Sequence, residues 1–201
     1  PEEVPKSTIA DMTVIVQSIT ARSSSIPIGV NVLRNDASAA LAIAAACNSS
    51  FIRVNVHTAA MLTDQGWIEG QAHHTLRERR ALSADSISIA ADVGVKHALR
   101  PAGFNIAQAA KDVTGRGHAG AVIVTGASTG SAADLDELQQ VREAVPQTPV
   151  LVGSGVDTQN IHAILDLADG VIVGTSLKKD GLVNSPVEID RVRALVETAK
   201  S

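Results

Sequence analysis

The stretch "VLVGSGVDTQNIHAILDLADGVIVGTSL", residues 150–177, decides the fold. It contains two short apolar runs that end on small residues, with a helical pattern between them. Both runs are apolar at successive positions, which is typical of parallel strands that helices cover. Because a helix connects neighbouring parallel strands in such a unit, the stretch predicts a parallel α/β fold.

Four earlier runs have the same character. The six predicted strands begin at Ile26, Phe51, Ile87, Gly120, Pro149 and Gly170. Helical patterns lie between them, with apolar residues at three- and four-residue steps, as at Leu135, Leu138, Val141 and Val145. This alternation fits either an open doubly wound sheet or a (β/α)8 TIM barrel.

The glycine positions favour the barrel. A dinucleotide-binding sheet carries G-x-G-x-x-G at the start of its first helix, whereas here G-S-G and G-T-S follow the last two strands. In barrels, the loops after strands seven and eight commonly bind phosphate. Counting backward, the six runs become strands three to eight. The chain begins in this scheme with a helix whose apolar stripe is Met12, Ile15, Val16 and Ile19.

The length agrees with a partial barrel. A complete barrel needs about 250 residues, and this chain has 201. We therefore expect residues 1–201 to form a single, incomplete barrel domain that lacks an N-terminal β-α-β piece of roughly 50 residues.

Composition excludes several classes of protein. The net charge is −4, with acidic and basic residues intermixed, and Phe51, Trp67 and Phe104 are the three aromatic residues, so we expect no nucleic-acid partner. The single cysteine, Cys47, suits a reducing compartment. The longest apolar run, residues 39–47, is far shorter than the about 20 residues of a membrane helix. These features predict a cytoplasmic protein without a transmembrane segment.

The two glycine-rich strand ends are candidates for phosphate binding. Glycine lets the backbone approach an anion closely, and hydroxyl groups add donors. Asp157 would repel a phosphate unless it caps the following helix. The alternative is that both segments are only tight turns. The predicted phosphate-binding residues are Gly153, Ser154, Gly155, Gly174, Thr175 and Ser176.

The sequence resembles the BtpA family over nearly its whole length. The stretches that carry the resemblance are "PIGVNVLRNDA" (27–37), "FIRVNVHTAAMLTDQGWIEG" (51–70), "DVGVKHA" (92–98), "VIVTGASTG" (122–130) and "DGVIVGTSLKKDG" (169–181). The resemblance implies a ribulose-phosphate-binding type barrel. It also implies a link to photosystem I biogenesis at the thylakoid membrane, because the family is named after a cyanobacterial member implicated in that process.

Two strand ends carry candidate catalytic residues. In "FIRVNVH", alternation along a strand places Arg53, Asn55 and His57 on one polar face, and Asn55 and His57, nearer the carboxyl end, are the candidates to reach a ligand. The alternative is that this polar face belongs to an edge strand and faces solvent. In "ADVGVKH", Asp92 and Lys96 are four residues apart, so both side chains point to the same face if the strand continues through them. They would then form either an acid–base pair or a structural salt bridge. A metal held by His57, Asp92 and His97 is a further alternative. The sequence does not identify a cofactor.

Residues 58–70 form a connection that is long for a barrel loop. It contains Trp67, which would either shield a ligand or bury itself in a neighbouring subunit. We expect a homo-oligomer. The loops after the strands at Ile26 and Gly120, including Arg34, Asn35 and Asp36, would complete the rim of the site.

Two functional hypotheses follow. In the first, the barrel binds a small phosphorylated metabolite and converts it by isomerase, lyase or hydrolase chemistry. In the second, which the family resemblance implies, the protein is a non-catalytic biogenesis or stability factor for a membrane complex such as photosystem I. Since no transmembrane segment is predicted, such a factor would associate with a membrane only peripherally.

Overall fold

The computed structural model describes residues 3–23, 25–63, 66–94, 98–125 and 134–201. Its helices are α1 (Lys6–Thr20), α2 (Ala37–Ala46), α3 (Ala72–Ala81), α4 (Ile106–Gly115), α5 (Leu135–Ala144), α6 (Ile161–Leu165) and α7 (Ile189–Lys200). Its strands are β1 (Gly29–Asn31), β2 (Phe51–Val54), β3 (Ala60–Thr63), β4 (Gly66–Glu69), β5 (Ser88–Val93), β6 (Ala98–Leu99), β7 (Ala121–Val124), β8 (Val150–Val152) and β9 (Gly170–Val171).

The main sheet consists of six parallel strands in the order β1-β2-β5-β7-β8-β9. Every pair of neighbours is parallel, and the spatial order follows the chain. These strands are the six that the sequence predicts, so the parallel α/β fold is confirmed. Within the described part of the chain the sheet has two edges, β1 and β9, which makes it a parallel half-barrel.

Strand register separates the sheet into two faces, because residues paired across parallel strands point to the same side. One face packs against the helices; its residues Ile52, Ile89, Val122 and Val150 are completely buried. We call this the outer face. The opposite, inner face carries Asn31 and Arg53, which are paired in register. The polar residues therefore lie on the concave side of the half-barrel.

Helix α1 forms as predicted, but its buried stripe differs from the prediction. Val16 is buried, whereas Ile15 and Ile19 are 57% and 45% exposed. The residues of α1 that pack against the core with Val16 are Ile9 and Met12. An apolar run on a short helix fits more than one helical face, and the position of α2 selects among them.

The connection at residues 58–70, which the sequence predicts as a loop, contains a hairpin instead. Strands β3 and β4 pair antiparallel, and β6 extends them to a three-stranded sheet. Gly66 has a φ of +95°, a backbone conformation that favours glycine, and it accepts a hydrogen bond from the Thr63 hydroxyl at 3.0 Å. Gly70 N–H closes the base of the hairpin by donating to Ala59 O at 2.7 Å.

Candidate functional site

A cavity of about 700 Å³ lies at the carboxyl ends of β8 and β9. The residues predicted to bind phosphate all line it: Gly153, Ser154, Gly155, Gly174, Thr175 and Ser176. Arg53 of β2 and Arg191 of α7 also line it. The two glycine-rich loops therefore share one hollow.

Backbone N–H groups in these loops differ in their hydrogen bonding. Gly153 N–H donates to Val124 O at 2.8 Å, which continues the sheet ladder. Within the described ranges, the N–H groups of Gly155, Gly174 and Thr175 donate to no protein acceptor. Gly155 has a φ of +74°, which requires glycine's conformational freedom. Unused backbone donors at a strand end are the groups that bind anions in such loops.

The hydroxyl of Ser176 links the two loops. Its Oγ donates to Val156 O at 2.7 Å, so this proton is engaged within the protein. Ser176 therefore contributes to the site by holding the loop after β9 against the loop after β8. The predicted role of Ser176 as a phosphate-binding residue stays a prediction, and in this structure its hydroxyl donates within the protein.

Gly153 is glycine for a packing reason. A Cβ at this position would lie 2.6 Å from Thr125 Cγ2 and 2.7 Å from Ile123 Cγ2, far inside van der Waals contact. Both neighbours belong to the inner face around β7. The space that glycine leaves is therefore filled by side chains of the neighbouring strand.

Asp157 lines the cavity, but its Oδ1 accepts hydrogen bonds from the N–H groups of Gln159 and Asn160, at 2.8 and 3.2 Å. These bonds cap the turn that leads into α6. The helix itself begins at Ile161 with Asn160 as its N-cap, which makes no side-chain capping bond, so the carboxylate of Asp157 caps the preceding turn and not the helix as predicted.

The inner face holds a buried ion pair. Arg53 donates to Asp92 through two parallel bonds of 2.8 Å, from Nε to Oδ1 and from NH2 to Oδ2. The Asp92 side chain is completely buried, and that of Arg53 is 16% exposed. Asn55 Nδ2 donates to Asp92 Oδ2 at 3.0 Å, and Asn31 Nδ2 lies 3.1 Å from Asn55 Oδ1. The predicted residues Asn55 and Asp92 thus meet, with Arg53 as their third member.

Lys96, the predicted partner of Asp92, lies outside the described residues. The charge that faces Asp92 in the described structure is the Arg53 guanidinium. A signal for Arg53 was present in the sequence, because it precedes Asn55 by two residues on the same strand face.

His57 does not join this cluster. Its Nε2 lies 2.8 Å from Gly117 O, and the residue is 1% exposed. β2 ends at Val54, so the alternation that predicts a shared face with Asn55 does not extend to His57. Because a carbonyl only accepts, Nε2 carries the proton. Burial lowers the pKa of His57, the Gly117 hydrogen bond opposes this shift, and the charge of Arg79 adds to it.

The metal alternative receives no support from the described ranges. They contain no group of three His, Cys, Asp or Glu side chains that would hold a metal ion. His57 and Asp92 have different hydrogen-bond partners, and His97 lies outside the described residues. Likewise, no helix in the described part of the chain has the length and apolar character needed to cross a membrane.

Trp67 belongs to a different region of the surface. It is 60% exposed and lines a second cavity of about 320 Å³, together with the predicted rim residues Arg34, Asn35 and Asp36. Trp67 is not among the residues that line the cavity at β8 and β9. Leu62 pairs with both Trp67 and Leu99 across the small sheet, so the three side chains form one row.

Comparison with proteins of known structure shows the same fold class. The chain resembles thiamine phosphate pyrophosphorylase from Pyrococcus furiosus with a TM-score of 0.66 at 13% identity, over 98% of this chain and 79% of that one. It resembles N-(5'-phosphoribosyl)anthranilate isomerase from the same organism with a TM-score of 0.60 at 15% identity, over 94% and 80%. At such identities the likeness shows a TIM-barrel-like α/β fold.

Sequence comparison is more specific. The chain is 46% identical to the photosystem I biogenesis protein BtpA of Synechocystis over 197 residues, which cover 98% of this chain and 68% of that relative. A sequence model of the family described as "BtpA family" matches residues 1–201. The chain therefore belongs to the BtpA family.

Proposed function

We propose that the protein binds a small phosphorylated metabolite in the cavity at the ends of β8 and β9. The observation that carries this proposal is the set of backbone N–H groups of Gly155, Gly174 and Thr175, which have no protein acceptor in the described ranges and line one cavity. Several unused backbone donors around one cavity favour a phosphate, whose oxygens accept several hydrogen bonds at once.

The position of the cavity in the fold supports the same proposal. We place β8 and β9 as the last two strands of an eight-stranded barrel, whose following loops commonly form a phosphate site. The names of the two structural neighbours contain compounds with a phosphate group, thiamine phosphate and N-(5'-phosphoribosyl)anthranilate. These names support a phosphorylated ligand for this chain.

Conversion of the ligand would use the inner face below the phosphate. Among the residues predicted as catalytic, Asn55 and Asp92 lie on this face, and Lys96 remains a candidate from the sequence. Both oxygens of Asp92 accept hydrogen bonds from Arg53, so Asp92 acts as a positioning residue for that guanidinium. His57 faces Gly117 and has no part in the proposed chemistry. Isomerase, lyase and hydrolase reactions all stay within this proposal.

A second proposal is a non-catalytic role in the biogenesis of a membrane complex. The observation that favours it is the 46% identity to a protein named for photosystem I biogenesis. Peripheral membrane association and a homo-oligomer formed through the hairpin of β3 and β4 belong to this proposal. The exposed Trp67 supports such a contact. The two functions are compatible, since a phosphorylated ligand can regulate assembly.

The test compares two variants of Gly174 whose new side chains have the same size but differ in charge. A Cβ at Gly174 meets no atom within 4 Å, so the position has room for a side chain. We expect Gly174→Asp to weaken binding of inorganic phosphate at least about tenfold relative to Gly174→Asn, because the two side chains have the same shape and only the first repels an anion. Isothermal titration calorimetry of both variants and the wild type measures this difference. Equal affinities in the two variants, or no phosphate binding by the wild type, would contradict the proposal.

A further inference from the structure

Arg53 lines the same cavity as the two glycine-rich loops. The NH2 atom of Arg53 lies 3.3 Å from the position that a Gly153 Cβ would occupy, so the guanidinium reaches the loop after β8. Nε and NH2 each donate to Asp92, whereas NH1 donates to no acceptor in the described ranges. The guanidinium therefore has donors left over after its ion pair is made.

The bidentate contact fixes the orientation of these spare donors. Two parallel bonds to a completely buried carboxylate hold the guanidinium plane in one position. Asn55 and Asn31 extend the network behind Asp92. Arg53 is therefore preorganised, and a ligand group that contacts it needs no reorganisation of the protein.

The charges around the cavity have one predominant sign. Its charged lining residues are Arg53, Arg191 and Asp157. Asp157 Oδ1 is occupied by the capping bonds to its own turn. The backbone groups at the opposite end are also donors. A ligand that fits this lining must supply acceptors at both ends.

We propose that Arg53 selects the ligand: the bound compound is a phosphate ester whose other end carries a carboxylate, and phosphorylated amines are excluded. This inference rests on the proposed phosphate site and adds the class of substrate. Gly153, beside Arg53, and Gly155, among the phosphate donors, are two residues apart, so the Cα atoms of these two glycines are separated by at most about 8 Å. A three-carbon phosphate ester spans a distance of this order.

The experiment compares three probes that share a three-carbon skeleton, namely 3-phosphoglycerate, glycerol 3-phosphate and 3-aminopropyl phosphate. We expect 3-phosphoglycerate to bind the wild type about tenfold more tightly than glycerol 3-phosphate, because hydrogen bonds to a charged group are the stronger ones. We expect 3-aminopropyl phosphate to bind most weakly. Calorimetric titration measures all three, with inorganic phosphate titrated alongside.

The variant is the double substitution Arg53→Met/Asp92→Leu, because replacing both partners leaves no buried charge unpaired. The preference for 3-phosphoglycerate should disappear in it. The matched control is Arg116→Met/Asp112→Leu, the same substitutions at an ion pair whose arginine is 85% exposed and lines none of the cavities described above. The control should keep the wild-type preference.

Arg53→Lys provides a second measurement that keeps the positive charge but loses the planar fork. We expect it to reduce the preference for the carboxylate while the protein stays folded. Equal binding of the three esters by the wild type, or a preference that survives in the Arg53→Met/Asp92→Leu variant, overturns this inference alone. Failure of the wild type to bind inorganic phosphate or any ester overturns the proposed function, and this inference with it.

Discussion

The outer and inner faces of the six-stranded sheet are built from alternate residues of the same strands. On the outer face, Ile52 and Ile89 are completely buried against the helices. On the inner face, Arg53 of β2 and Asp92 of the adjacent strand β5 form a bidentate ion pair. Alternation along the strands thus places the apolar core on one face and the charged pair on the other.

The two faces are stabilised by different forces. The outer face gains free energy from the removal of apolar surface from water, which has no directional requirement. The inner face depends on geometry, because a buried charge is tolerated only when its partner and hydrogen bonds are in place. Substitutions on the inner face should therefore have effects that depend on whether the partner is also changed.

The largest effect is expected from breaking the inner pair on one side. Arg53→Met removes the bidentate ion-pair partner of the completely buried Asp92 side chain, which should lower the free energy of unfolding by about 3–5 kcal/mol. The double substitution Arg53→Met/Asp92→Leu should recover most of this loss. Urea denaturation followed by circular dichroism measures both. As a control, Arg116→Met removes the arginine of an exposed pair and should change stability by no more than about 1 kcal/mol.

If Arg53→Met lowers the free energy of unfolding as little as Arg116→Met does, the buried Arg53–Asp92 pair contributes no more to stability than an exposed ion pair. Failure of the double variant to recover stability would assign the loss to packing around Arg53. Either result would remove the distinction between the two faces.

The second effect compares side chains of equal size on the two faces. Ile89→Ala on the outer face should lower the free energy of unfolding by about 2–5 kcal/mol, because it opens a cavity in a completely buried core. Leu151 is paired in register with Ile123 on the inner face and is only half-buried. Leu151→Ala should therefore cost less than Ile89→Ala in the same denaturation experiment. Equal losses would show that the inner face is as tightly packed as the outer one.

The smallest effect concerns pH. Burial lowers the pKa of His57 below its ordinary value of 6.5, so on acidification the unfolded chain binds this proton first. The stability that His57 contributes is complete above about pH 6.5 and is lost as the pH falls toward the pKa of the folded state. This group contributes a slope of at most about 1.4 kcal/mol per pH unit.

The measurement is the free energy of unfolding between about pH 7 and pH 5 for the wild type and His57→Gln. Glutamine keeps a donor for Gly117 O and does not titrate. We expect a shallower decline with decreasing pH in the variant. Identical slopes would mean that His57 does not resist protonation in the folded state.

Local patterns predicted the strands because they are strong and repeated. Each parallel strand lies within a run of apolar residues bounded by turn residues, and a helix of the expected period follows. The hairpin of β3 and β4 was missed, since its alternation is short and interrupted. The predicted stripe on α1 is correct at Met12 and Val16 and wrong at Ile15 and Ile19, because apolar residues at helical spacing occur on more than one face of this helix.

Candidate site residues were predictable to different degrees. The glycine-rich ends of β8 and β9 follow their strands directly, so their placement on one cavity depends only on neighbouring parallel strands having a common direction. His57 was misplaced because the alternation of β2 stops at Val54. The ion pair of Arg53 and Asp92 joins residues 39 positions apart, and no local pattern specifies that contact.

By itself, the sequence determined the class of fold, the direction of the strands and the glycine-rich loops at the ends of β8 and β9. These properties depend on periodicity and on backbone conformations that neighbouring residues impose. Only the tertiary structure decided that Arg53 pairs with Asp92, that Gly153 makes room for Thr125 and Ile123, and that His57 faces Gly117. Those contacts depend on register between strands and on packing across the sheet, which are set when distant segments meet.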